Sequence, residues 1–414
     1  MPRILVMVLF CLSYIVACAT PVGPSGGDTV LVVDASPAID SVLDIRPRGA
    51  PEDTCCEIAG ELPDVPPLLP ETGDHEESSA PPDEEVTPPP DPWATGPKMY
   101  LDSGDDPDVA VDFDGNLHLV YERDGSTFYR KALYPYDAGQ ENLVGKGGDP
   151  QVAVDSSGNP HVVFGALQYA HWTGAGFAPP ANLFNGWRKP RIAIDAQDTV
   201  FATVSRNVDK DVEDRVILFI IKNGIVQAGP VPVGNDNNGG VDCDGAGTLH
   251  LTWRSSSVYH NSYTETAGLG AHTQLHPSSD FSWIAVDLSD DSLHVVNTIK
   301  GGGGIHYRHR GSEGWSEPWA LAVEQVSGVD DPDNVGPTID IDSGGYKYVA
   351  FAGAGRVPYY LVIGPGGEQS PVSPLDPEQG SLSGGKFENP NVGCHPDRPG
   401  GFVAWGDDSI FVRG

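Results

Sequence analysis

The sequence predicts an all-β fold, a seven-bladed β-propeller of four-stranded antiparallel blades, and three observations carry that prediction. The stretch DPDVAVDFDGNLHLVYE (106–122) returns as DPQVAVDSSGNPHVVFG (149–165). Five further copies follow: PRIAIDAQDTVFATV, GVDCDGAGTLHLTW, WIAVDLSDDSLHVV, PTIDIDSGGYKYVAF and PNVGCHPDRPGGFVAW. The anchoring residues are Asp112, Asp155, Asp195, Asp244, Asp287, Asp342 and His395, at intervals of 40 to 55 residues, the range in which propeller blades repeat. Within each copy, alternating apolar residues and glycine turns replace helical spacing.

Only residues 98–414 carry this pattern. Residues 1–17 form a leader with one basic residue, Arg3, and an apolar run from Ile4 to Ala17, too short to span a bilayer comfortably and suited to export. Its end, Ile15-Val16-Ala17-Cys18, resembles the lipobox of bacterial lipoproteins. That resemblance implies cleavage before Cys18, acylation of its sulfur, membrane attachment through the lipid and a place in the bacterial cell envelope, on the outer membrane or cell surface. Residues 18–97 then hold 17 acidic residues against Arg46 and Arg48, with abundant proline. Such a segment buries too little apolar surface to offset the entropy of ordering, so it reads as a disordered tether reaching roughly 50 Å as a coil and about 240 Å when stretched. Cys55 and Cys56 lie inside it, and the sequence leaves their pairing open.

Within 98–414 each copy supplies two strands, and a second half supplies two more. LQYAHWTGAGFAPPANL and GIHYRHRGSEGWSEPWAL are examples. The first strand is apolar on successive positions (Val109, Ala110, Val111), as expected where a ring buries both faces of a blade. The chain stops at DDSIFVRG, a third strand without a fourth. Lys98 to Leu101 are therefore expected to complete the last blade and leave no open edge. Cys243 and Cys394 occupy a slot held elsewhere by Val or Ile and read as small buried hydrophobes, too far apart in a ring to be bridged.

These units resemble the degenerate BNR-type repeats of the sialidase superfamily, with an Asp-x-x-Gly-Asn turn and a Tyr strand followed by Gly-x-Trp-Ser-x-Pro. The resemblance implies the fold, whereas activity has to be read from sites. A sialidase would need an Arg-Ile-Pro motif, three arginines and a Tyr–Glu pair. Lys189-Pro190-Arg191-Ile192 reads instead as the start of a first strand, and no strict Ser-x-Asp-x-Gly-x-Thr-Trp box occurs.

Each anchoring Asp is expected to accept backbone N–H groups of its turn, with Asn or Gly supplying the left-handed conformation. Calcium is the competing reading, on Asp112/Asp114 and Asp242/Asp244. His118, His161, His250 and His294 open the second strand where other copies have Phe201, Tyr348 and Phe402, which favours a packed, hydrogen-bonded ring between blades over a metal site.

Function is expected where copies differ, on the face formed by the fourth-to-first and second-to-third connections. Asp105, Asp106, Asp149, Asp236, Asp280, Asp330, Asp331, Asp333 and Glu388 would ring that mouth and attract cations, with Asp105, Asp106, Asp149, Asp330 and Asp331 as the ligands of a bound cation. Ligand-binding candidates are Trp187, Arg188, Trp253, Arg254, Lys300 and Arg356. Among the aromatic residues suited to stacking on sugars, Trp172, Trp315 and Trp319 complete the set, with Trp315 assigned to the core because it matches Phe177. Three readings stay open. The leading one is a tethered binding protein recognising a glycan or envelope protein. The second is a polysaccharide lyase using Arg254, Tyr259, His260, His306 and Arg308 beside Tyr307; the third is a passive envelope scaffold. The net charge of −34 over the chain argues against a nucleic-acid partner.

Overall fold

The protein is described here by a computed structural model over residues 97–135, 137–185, 188–206, 215–235, 237–299, 303–326, 336–354, 357–376, 390–406 and 409–414. The leader, Cys18, the tether with Cys55 and Cys56, and Trp187, Asp236, Lys300, Asp330, Asp331, Asp333, Arg356 and Glu388 lie outside the described residues. So do the side chains of Arg188 and Asp280.

The described residues form seven antiparallel sheets and no helix. The first blade runs Asp105–Val111, Leu117–Arg123, Ser126–Ala132 and Glu141–Lys146 from the channel outwards, and the next five repeat that meander. In the fourth and fifth blades the outer position is shared by two short strands, Gly268–Leu269 with Thr273–Pro277 and Gly314–Trp315 with Trp319–Ala322.

The seventh blade takes three strands from the C-terminal end, Asn391–Cys394, Gly401–Gly406 and Ile410–Arg413, and its fourth from Lys98–Asp102. Met99 lies opposite Val412 and Lys98 opposite Arg413, as the closure expected from sequence requires. Further contacts hold this strand. Lys98 is paired with Asp376 of the sixth blade, and Asp102 accepts from Arg123 and Arg130 of the first at 3.1 and 2.8 Å.

Side-chain alternation explains why both faces are apolar. In the strand Leu117–Arg123, Leu117, Leu119 and Tyr121 pack toward the seventh blade, whereas Val120 packs toward the second. Among the described residues the buried apolar side chains fall into seven clusters, and each is shared by two adjacent blades. No blade has a core of its own. Cys243 and Cys394 are free and buried in two different clusters.

The anchoring aspartates do what their position suggests. Asp112 Oδ1 accepts the N–H groups of Asp114 and Asn116 at 3.0 and 2.8 Å, and Asp195, Asp244 and Asp342 repeat the pair. At Asp112 burial alone would raise the pKa, but bonds from Asn116, His118 and Lys131 outweigh it and hold the carboxylate well below its ordinary range. In the fourth blade Asp242 accepts the N–H groups of Cys243 and Val286, while Asp244 serves its own turn. The left-handed residue of the turn is Gly115 or Asp198, not asparagine; Asn116 instead bonds its anchor. In the seventh blade His395 replaces the carboxylate, and its Nδ1 accepts the Asp397 N–H at 3.0 Å.

The histidines also differ from expectation. They do not form a ring between blades: each is bonded inside its own blade to the third strand, and His118, His161 and His250 also to their anchors. His118 lies 3.1 Å from Asp112 and 3.0 Å from Tyr129 Oη, and His161 lies 3.4 Å from Asp155 and 2.7 Å from Tyr169. His250 bridges Asp244 and His260, and His294 meets Ser292 and Tyr307. The reason is register: His118 on the second strand faces Lys131 on the third, so Tyr129, two residues along, projects from the same face. What joins the blades is mostly packing, with carboxylates between successive inner strands and turns. Asp108 accepts the Val152 N–H at 2.8 Å, Asp242 that of Val286 at 2.8 Å and Asp340 that of Cys394 at 2.7 Å.

Two outcomes follow for stability. Leu101, 7% exposed, and Tyr100, 57% exposed, are neighbours on the closing strand. Leu101→Ala is expected to cost about 2–5 kcal/mol and Tyr100→Ala roughly 0.5 kcal/mol or less, read by denaturant unfolding. Equal effects would mean that the strand does not close the ring. Burial holds His294 and His260 down to about 3, so they stay neutral in the folded chain while the unfolded chain takes up protons below about 6.5. Their contribution is complete above that pH and is lost as pH falls toward about 3. His294→Phe is therefore expected to shrink the stability difference between pH 7 and pH 4 by about 3 kcal/mol.

Candidate ligand site at the channel mouth

The seven first strands line a central channel, and their N-terminal ends form its mouth. Asp106, Asp149, Lys189, Phe281 and Gly336 each stand just before the strand bends into the channel, and the non-glycine residues Asp106, Asp149 and Lys189 hold φ of 51, 50 and 59°. Left-handed backbone at a bulky residue is costly; here it recurs where the chain turns into the following proline.

Two residues further in lies the slot four positions before each anchor. It holds Asp108, Gln151, Arg191, Gly240, Trp283, Thr338 and Asn391, seven residue types in seven copies. Neighbouring slots repeat Val/Ile or small residues because they pack between blades. This divergence was readable in the sequence as the mark of a site.

At the mouth these residues meet across the ring. Lys189 Nζ lies 3.8 Å from the centre of the Phe281 ring, and the Arg191 guanidinium 4.6 Å from that of Trp283. Arg254, at the end of the second strand of the fourth blade, lies 5.9 Å from the Phe281 ring. The second-to-third connection thus shares this face, as the sequence implied. Both rings are half-buried, and cations over their faces are favourable. Arg191 Nη1 donates to the Pro190 carbonyl at 3.0 Å, whereas its Nε is buried with no hydrogen-bond partner. Burial lowers the Arg191 pKa to about 10 against the opposing fields of Asp108, Asp149 and Asp106. Asp108 is itself raised to about 7 by burial, in spite of its bond from Val152. The pocket at the mouth opens to solvent and has a volume of about 70 Å³.

Five of the nine residues of the expected acidic rim lie outside the described residues; among the described ones the mouth is mixed in charge. Asp106 and Asp149 line it, but beside Lys189 and Arg191, and Asp105 stands at the start of its strand opposite Glu122. Among the described residues no group of three His, Cys, Asp or Glu is arranged to hold a metal.

The other candidates disperse. Trp253 is 5% exposed and stacked on Tyr259 at 5.6 Å; the adjoining blade covers most of it, with Gly234 against its ring, and its exposed edge lines a cleft between the two blades. Tyr259 and His272 border a cleft of about 330 Å³ between the third and fourth blades. His260 is buried against His250. His306 lies in the next blade, 5.4 Å from His276, and Arg308 is bonded to the carbonyls of Ser316 and Leu275. The residues named for a lyase come from the fourth and fifth blades: His260, His306 and Arg308 meet at the interface of these two blades, whereas Tyr259 faces the third. Trp172 packs edge-on against Phe177 and tilted against Tyr129, and Trp319 packs edge-on against Tyr307. Trp315 packs against the cluster of the fourth and fifth blades, as Phe177 does against that of the first and second.

No protein-family model and no curated protein matches the chain. Among solved structures, the hydrazine synthase of Kuenenia stuttgartiensis is similar over 76% of this chain and 96% of its own, at 14% identity and a TM-score of 0.51. A fucose-specific lectin from Aleuria aurantia covers 67% of this chain and 96% of its own, at 12% identity and a TM-score of 0.49. A Hadza microbial sialidase covers 72% of each, at 11% identity and a TM-score of 0.45. At these identities the likeness concerns the fold alone: the chain is a seven-bladed propeller with neighbours in the lectin and sialidase propellers.

Proposed function

We propose that this protein is an envelope-anchored binding module that holds a saccharide at the mouth of its propeller channel. The observation that carries the reading is the pairing of Phe281 and Trp283 with Lys189, Arg191 and Arg254 beside Asp106 and Asp149. Half-buried aromatic rings suit the apolar faces of a sugar ring, while carboxylates and cations placed around them suit its hydroxyl groups. The site gathers where the repeats diverge, which is where a ligand is recognised without weakening the frame. A lipid on Cys18 and the acidic tether after it would hold the propeller clear of the membrane.

Glycan-array screening of the full chain is expected to give hits that Phe281→Ala weakens at least tenfold, about 1.4 kcal/mol, while Tyr100→Ala, on the exposed outer strand of the seventh blade, leaves them unchanged. Hits indifferent to Phe281→Ala, or an array without hits, would defeat the saccharide reading. Separately, Cys18→Ser is expected to abolish incorporation of labelled palmitate and release the protein from the membrane fraction. Membrane retention of that variant would defeat the anchor.

A further inference from the structure

We propose that the cleft between the third and fourth blades docks an uncharged, proline-rich peptide segment of a partner protein. The cleft shares no lining residue with the channel mouth, so it stands independently of the saccharide reading.

The first ground is an open donor. Trp253 and Tyr259 lie opposite each other on the second and third strands of the fourth blade, and Asn261, two residues beyond Tyr259, projects from the same face. Asn261 is 2% exposed. Its Oδ1 accepts the Ser262 N–H at 2.8 Å, whereas its Nδ2 has no hydrogen-bond partner among the described residues and is not sealed off from the cleft that the residue lines. Leaving a buried amide unpaired costs roughly 1–3 kcal/mol, which a ligand carbonyl recovers. The second ground is the wall around that donor. The Trp253 and Tyr259 rings stack at 5.6 Å, and His272 stands edge-on to them at 6.1 and 5.7 Å. Leu269, 42% exposed, lines the same cleft. Aromatic and apolar walls of this kind suit pyrrolidine rings, and a polyproline helix arrives preformed, with little chain entropy left to lose. The third ground is charge. The chain holds 24 Lys and Arg and 58 Asp and Glu, yet none of them lines this cleft. A charged ligand would lose its hydration there and find no counter-ion. A saccharide would bring hydroxyl donors that no carboxylate is present to accept, whereas proline brings a carbonyl acceptor and no N–H. At about 330 Å³ the cleft falls within the usual range of ligand sites, roughly 300–1,000 Å³, and its openness admits a segment of a longer chain.

The test is fluorescence anisotropy of the full chain with labelled octapeptides blocked at both ends: octaproline, its variants with Leu or Val at two positions, and a Gly-Ser octamer. At least one proline peptide is expected to bind roughly tenfold or more tightly than the Gly-Ser octamer, with an affinity that added salt leaves within about twofold. Asn261→Asp keeps the side-chain shape and the bond from Ser262 but removes the donor, and His272→Ala removes an exposed ring outside the core. Each is expected to weaken the proline peptide by roughly tenfold, while Tyr100→Ala leaves it unchanged. No preference of the wild type for proline over Gly-Ser overturns the proposal, and so does an affinity that falls steeply with salt. Binding indifferent to both Asn261→Asp and His272→Ala, or lost only in Phe281→Ala, overturns the assignment to this cleft. Glycan-array hits abolished by Asn261→Asp would give the cleft to a saccharide and overturn the peptide. The wild-type comparison of proline with Gly-Ser peptides decides the ligand class even where a variant does not fold.

Discussion

Every feature of this ring depends on one constraint: a four-stranded blade has two apolar faces and no way to cover either by itself. Burial is supplied only by neighbours, which is why each described cluster spans two blades and none belongs to one. A ring with one loose member would expose two faces at once. The strand Lys98–Asp102 therefore carries more weight than its five residues suggest. It places Met99 and Leu101 in the interface of the first and seventh blades, and it uses Lys98 and Asp102 to reach the blades on either side.

The same constraint divides the work along each first strand. Residues one and three positions before the anchor face neighbouring blades and repeat as Val, Ile or Cys. The slot four before the anchor stands at the channel mouth, where the frame accepts side chains as different as Asp108, Arg191 and Trp283. The frame fixes six side chains and one glycine around one opening. The buried carboxylates further in, Asp242 and Asp340, show the same economy. Each is costly to desolvate, and burial raises them to about 7 and about 6, but each satisfies an inner-strand N–H of the next blade that would otherwise face the channel unpaired.

Much of this was legible before the structure. The anchors, the turn bonds, the closing strand and the buried character of Cys243 and Cys394 follow from spacing, because a repeat gives seven readings of one environment. Lys189-Pro190-Arg191-Ile192 was legible only as a strand start. It is one, and it also supplies two cations to the mouth, because the fold sets it opposite Phe281 and Trp283 in another blade. Trp253 shows the reverse: its place beside a loop suggested exposure, and the outer strand of the third blade covers it.

The sequence by itself determined the number of blades, their internal order and the residue that anchors each turn, since these depend on local chemistry repeated at a fixed period. Only the tertiary structure decided which side chains face one another across the channel and which histidine meets which tyrosine. Those pairings join residues from separate strands or blades, and their distances are set by strand register and by the curvature of the closed ring, neither of which is written at any single position of the chain.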